Sequence, residues 1–198
     1  RIVFCILFIF QFREIFGTTT AAVFQNYPNN YFVETGSHEG DGIQNALSVG
    51  FSEIYSIELS PYYYQRCHNR FSSHANVHLF LGDSTAVLRQ VLLEIDAPAT
   101  FWLDGHYSSG NTAKGETNTP ILEELEAIRA HPIKTHTILI DDVRLFGTDQ
   151  FDNIELRNII EKIYEINPNY QIFFENGYIE NRCFVNDVLV AKPLALLE

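Results

Sequence analysis

Tyr31-Phe-Val-Glu-Thr-Gly-Ser-His-Glu-Gly-Asp-Gly-Ile43 is the stretch that decides the fold of this chain. A short apolar run ends in an acid, Glu34, and glycines follow at Gly36, Gly40 and Gly42. Such a run reads as a buried parallel strand that breaks into a glycine turn and enters a helix. Glycine suits the turn because the backbone must take unusual dihedrals and let a ligand approach closely. Downstream the same grammar repeats. Ile43 to Val49 fits a first helix, and Glu53 to Glu58 a second strand ending in an acid. Ser60-Pro61 opens a helix to about Phe71, with serine at the cap and proline at the first helical position. Val77 to Leu81 is a third strand, closed by Gly82-Asp83-Ser84, and apolar residues from Val87 to Ile95 recur at helical spacing. Thr100 to Leu103 and His136 to Ile140 read as further strands, ending at Asp104 and at Asp141-Asp142. Helices fill the intervals, one from Thr119-Pro120 and one over Leu156 to Ile163. Tyr170 to Phe174 and Phe184 to Ala191 close the chain as two strands, hairpin-like around Gly177 and Asn181. Alternating strands and helices predict an α/β fold: a Rossmann-like seven-stranded, mostly parallel sheet, helices on both faces, and an antiparallel final strand.

Composition narrows the function. The 198 residues suit one domain with a core that needs neither disulfides nor a structural metal. Lys and Arg number 13 against 25 Asp and Glu, a formal charge of −12. That balance argues against nucleic acid, which requires clustered Lys and Arg. Cys5, Cys67 and Cys183 are far apart, and read as free, buried thiols of a reducing compartment, which points to the cytoplasm. With no methionine and with Arg1 first, the sequence is expected to lack its natural start. Ile2 to Phe10 is continuously apolar yet short of the roughly 20 residues that span a bilayer. It fits the end of a signal peptide, a truncated membrane anchor or a packed helix; no membrane partner is otherwise indicated. Residues 1–30 are therefore read as an apolar N-terminal segment and 31–193 as the domain. The oligomeric state is open, a homodimer included.

The spacing Glu-x-Gly-x-x-x-Gly-x-Gly over Glu34 to Gly42 resembles the first motif of class I S-adenosylmethionine (SAM)-dependent methyltransferases. The dinucleotide fingerprint, Gly-x-Gly-x-x-Gly, sets its glycines closer together. In open α/β sheets ligands lie beyond the carboxyl ends of the strands, and here those ends carry Glu34, Glu58, Asp83, Asp104 and Asp141-Asp142. A pyrophosphate would sit badly among these acids, whereas SAM carries a sulfonium and an ammonium. The resemblance implies that Glu58 accepts from both ribose hydroxyls and that Asp83 and Ser84 lie near the adenine. It also implies that Gly36, Ser37, His38 and Gly40 approach the methionine and ribose, and that Glu34 either reaches the ammonium through water or shapes the loop. Asp104 stands among the cofactor contacts as well. One ring of Tyr62-Tyr63-Tyr64 could cover the adenine, the others packing.

Asp104, Asp141 and Asp142 form a second constellation, three oxygen ligands suited to Mg²⁺. It resembles the metal-dependent O-methyltransferases, catechol and macrocin enzymes among them. Leu103-Asp-Gly-His-Tyr-Ser108 and Ile140-Asp-Asp142 are nearer the macrocin-like sugar enzymes. The implied acceptor is a small-molecule or sugar hydroxyl. The catechol enzymes place a lysine three residues beyond the first aspartate, where this sequence has Tyr107. His106 is then the nearest base beside Asp104, its ordinary pKa near 6.5 suiting proton abstraction. The polar stretch 108–119 is expected to act as a lid. Three other readings stay open: a metal-free methyltransferase with Asp141 and Asp142 as helix caps, an NAD-linked Rossmann oxidoreductase, and a non-catalytic SAM-binding module.

Overall fold

The computed structural model describes residues 20–107, 115, 117–179 and 182–194. Five strands run parallel: β1 (Tyr31–Thr35), β2 (Glu53–Glu58), β3 (Val77–Leu81), β4 (Ala99–Leu103) and β5 (Thr137–Ile140). Two longer strands, β6 (Tyr170–Ile179) and β7 (Arg182–Pro193), complete the sheet in the order β3-β2-β1-β4-β5-β7-β6. β7 lies antiparallel to both of its neighbours, as expected of the closing strand. The helices are α1 (Thr20–Gln25), α2 (Asp41–Val49), α3 (Pro61–Phe71), α4 (Ser84–Val91), α5 (Ile121–Ala130) and α6 (Leu156–Ile166).

Central strands are apolar on both faces because both faces are covered. In β4, Phe101 and Leu103 join a core with Leu88, Leu125, Ile128, Ile159 and Ile163, while Trp102 between them packs with Phe24, Ile43 and Cys67 on the other side. The period of two along the strand thus feeds two separate cores.

The N-terminal segment packs on the domain from α1 onward: Val23, Phe24 and Tyr27 are buried, and Phe24 meets Phe32 and Trp102 at ring-centroid distances of 4.8 and 5.0 Å. A helix of six residues gains its stability from such packing rather than from its own hydrogen bonds. Cys67 is buried as expected, but Cys183 on β7 is exposed. The apolar run Ile2 to Phe10 and Cys5 lie outside the described residues. Among those described, no helix is long and apolar enough to cross a membrane.

The strand order reverses between β1 and β4, and their ends, Thr35 and Leu103, are in register. At such a switch point the chains leave the sheet in opposite directions and open a crevice.

Candidate active site

A cleft of about 840 Å³ lies in that crevice. Glu34, Gly36, Ser37, His38, Glu58, Asp83, Ser84, Asp104, His106, Asp141 and Asp142 all line it. Gly40 alone among the expected contacts does not. A side chain there would run into Phe71 at 2.5 Å, and Gly40 serves at φ 83° as the turn into α2. Gly36 is constrained by backbone, since a Cβ on it would sit 2.4 Å from the Asp104 carbonyl oxygen. With φ at 84°, only glycine lets β1 and β4 diverge this tightly.

Glu58 organises the turn. Its Oε2 accepts from the backbone N–H of His38 at 2.8 Å and its Oε1 from that of Ser60 at 2.7 Å. Each carboxylate oxygen retains a further acceptor position. Ser60 stands at the start of α3 as expected, yet its side chain makes no capping bond. Tyr63 is the ring of its trio that lines the cleft, with His38 against it at 4.3 Å; Tyr62 is exposed. Asp83 caps α4 through the Thr85 N–H at 2.9 Å. Glu34 is buried, and Ser56 Oγ donates to its Oε2 at 2.5 Å. Burial pushes its carboxyl up to about 8, only partly offset by that hydrogen bond. The room for Glu34 comes from Gly42, where a Cβ would lie 1.7 Å from Oε1.

The three aspartates divide between two groups. Asp104, His106 and Asp142 offer ligand atoms within 4.8 Å of one another, and so do Asp141, Asp142 and Asp187. His106 joins the first group, with Nδ1 3.2 Å from Asp104 Oδ1 and Nε2 3.0 Å from Asp142 Oδ2. Burial disfavours its charge, but the two carboxylates outweigh this and raise it to about 10. Asp142 is buried at φ 56°, with Oδ1 2.5 Å from Arg144 Nη1. His106 and Arg144 hold it ionised despite its burial. Asp141 goes the other way: desolvation and repulsion from Asp104 and Asp142 push it well above the carboxylate range.

Sequence reasoning missed Ser56, Glu124, Arg144 and Asp187, which lie behind the lining, and the β6 residues Tyr178 and Ile179, which form part of it. Glu124 had a signal, an acid within the apolar stripe Ile121, Leu125 and Ile128. Its buried side chain supports the Gly105 turn from below, and burial raises it to about 7. Asp187 had one too, an acid directly before the buried run Val188 to Ala191. Gly115, Thr117 and Asn118 line the cleft, whereas the rest of the expected lid, residues 108–114 and 116 with Gly110 and Lys114, lies outside the described residues.

No protein-family model and no curated protein matches the sequence. Solved structures do match the fold. An O-methyltransferase from Bacillus cereus in complex with S-adenosylhomocysteine (SAH) aligns at TM-score 0.60 and 14% identity, over 87% of this chain and 78% of that one. Aeropyrum pernix fibrillarin with natively bound SAM aligns at 0.57 and 13%, over 87% and 73%. An SAH-bound methyltransferase from Podospora anserina aligns at 0.55 and 10%, over 88% and 76%. The fold is that of the class I SAM-dependent methyltransferases. Its switch-point crevice holds every expected site residue of this chain except Gly40, which turns away from it.

Proposed function

We propose that the protein is a SAM-dependent methyltransferase acting on a hydroxyl oxygen of a small molecule or sugar, assisted by a divalent metal such as Mg²⁺. The observation that carries this reading is the convergence of the Gly36 turn, Glu58 and the Asp104–His106–Asp142 group in one cleft. SAM supplies an electrophilic methyl group on a sulfonium. Glu58 is suited to two ribose hydroxyls, Asp83 and Ser84 to the adenine edge, and Glu34 to the ammonium. With a positively charged ligand beside it, Glu34 would ionise and satisfy that charge.

The residues fit a metal by their chemistry: carboxylate oxygens crowded enough to repel one another, with an imidazole between two of them. Asp104 and Asp142, rather than all three aspartates, would hold the ion, because Asp141 groups with Asp187 instead. The ion would lower the pKa of a bound acceptor hydroxyl. His106 would then exchange its bridging role for that of ligand or base. A metal-free reading also has an observation in its favour, because His106 and Arg144 already neutralise Asp142. In that case Asp104 and Asp142 orient His106 as a proton carrier beside the acceptor. Under either reading the enzyme's contribution is mainly alignment of acceptor oxygen and sulfonium.

Calorimetric titration with SAM and with NAD, each with and without Mg²⁺ or Mn²⁺, tests cofactor and metal together. SAM binding without NAD binding is expected. Asp142→Ala should abolish metal-dependent SAH production while leaving SAM affinity within about twofold. Activity that survives both EDTA and Asp142→Ala would rule out metal assistance. SAM that binds and never turns over across phenolic and sugar acceptors would favour a binding module.

A further inference from the structure

The described lining of the cleft contains nine carboxylate residues, Glu34, Glu39, Asp41, Glu58, Asp83, Asp104, Glu123, Asp141 and Asp142, and no lysine or arginine. Burial favours the neutral acid at Glu34, Asp104 and Asp141, so the negative field rests chiefly on the other six. Arg66 and Arg70 meet Glu39 and Asp41 at 2.7 and 2.9 Å, and Arg144 meets Asp142, yet none of these arginines lines the cleft. Glu58 and Asp83 are anchored by backbone N–H groups, which orient them without cancelling their charge. Among the described lining residues the basic side chains are the imidazoles of His38 and His106, and His106 is held between two aspartates. A cationic cofactor gains from this field. An anionic acceptor entering beside it meets repulsion that a narrow, poorly hydrated cleft screens weakly.

A second observation concerns the wall of the same cleft. Ile140, the last residue of β5, is level with Leu189 of β7, and Leu189 with Phe174 of β6. Beyond Phe174, β6 runs on to Ile179, so the hairpin projects past the carboxyl edge of the sheet by roughly 15 Å at the usual rise per residue. An irregularity in pairing between Glu175 and Gly177 bends it there. Tyr178 and Ile179, on the projecting part, line the cleft with His106, Asp141 and Asp142. The projection is braced: Asp187 accepts from the Arg144 backbone N–H at 2.9 Å and pairs with its guanidinium, which lies 4.5 Å over the Phe184 ring. Gly177 permits this, because a Cβ there would lie 3.0 Å from Asp187 Cβ.

We infer that the acceptor is a hydroxyl compound bearing no phosphate, sulfate or carboxylate, and that Tyr178 and Ile179 form the apolar wall that receives it. The inference rests on the methyltransferase reading and deepens it to an acceptor class. Two probe sets each keep a vicinal diol while the charge goes from cation through neutral to anion: dopamine, catechol and 3,4-dihydroxybenzoate, and glucosamine, glucose and glucuronate. Binding to the SAH-loaded protein is measured by ligand-observed NMR at low and high salt. In at least one set the cation and the neutral compound should bind about tenfold or more tightly than the anion, and added salt should narrow the gap. An anion binding as well as its neutral partner overturns the inference, and so does the absence of binding in both sets. Failure of SAH itself to bind refutes the underlying methyltransferase reading instead. Tyr178→Ala should weaken the best-binding probe about fivefold or more, with SAH affinity unchanged, and Tyr178→Phe should restore it. Undiminished binding by Tyr178→Ala removes the hairpin from the acceptor site.

Discussion

Replacing Glu58 by alanine tests the cofactor assignment at its most connected residue. Glu58 is 7% exposed, and its two oxygens already bind the backbone N–H groups of His38 and Ser60. Two losses should follow, and they are separable. Without ligand, the two backbone donors lose a charged acceptor; water reaches them at the cleft edge, so the stability cost should be about 1–3 kcal/mol. With SAM, two ribose hydroxyls lose the same acceptor. At about 1.5–3 kcal/mol per bond to a charged group, less partial replacement by water, affinity should fall by about 2–4 kcal/mol. That is roughly 30- to 1,000-fold in Kd. Glu58→Gln keeps one oxygen but turns an N–H toward a backbone donor, and should fall between the parent and the alanine variant. Isothermal titration gives the affinities and urea unfolding the stabilities. Equal SAM affinity in parent and Glu58→Ala, with only stability reduced, would show that Glu58 shapes the turn without touching the ribose.

Two further predictions concern the frame around the site. His136 is fully buried, accepts the Ala99 N–H on Nδ1 at 3.0 Å, and lies 2.9 Å from His131 Nδ1 through its Nε2. Burial lowers it to about 3, with the unfolded chain protonating near 6.5. Its contribution to stability is therefore complete above about pH 6.5 and is lost as pH falls toward 3, at up to about 1.4 kcal/mol per unit. Unfolding free energies from urea titrations between pH 6.5 and 5 should drop in the parent by up to about 2 kcal/mol and more shallowly in His136→Asn; equal slopes would contradict the assignment. Gly42→Ala, normally worth about 0.5–1 kcal/mol of gain within a helix, should instead destabilise by about 1–3 kcal/mol, because the added methyl would occupy the place of Glu34 Oε1. A higher Tm for this variant would mean that Glu34 can leave its buried position without cost.

The order of strands and helices was legible in the sequence because local forces set it. Apolar runs of strand length, proline at the first turn of α3 and glycines at the turns each act within a few residues. The β2, α3 and β3 limits agree with the pattern read from the residues themselves. The acids at the strand ends were legible for a related reason, since a parallel sheet brings all its carboxyl edges to one rim. What the sequence could not determine is how those acids pair. His106 between Asp104 and Asp142, and Arg144 between Asp142 and Asp187, join residues from separate elements. The protonation of Glu34, Glu124 and Asp141 likewise depends on desolvation and on neighbours that only folding supplies. Nor does a strand pattern say how far β6 runs beyond the sheet, since that depends on its pairing with β7, and with it the wall formed by Tyr178 and Ile179. Local sequence determined the elements and the rim on which the chemistry gathers, and tertiary packing decided the charge and partner of each group there.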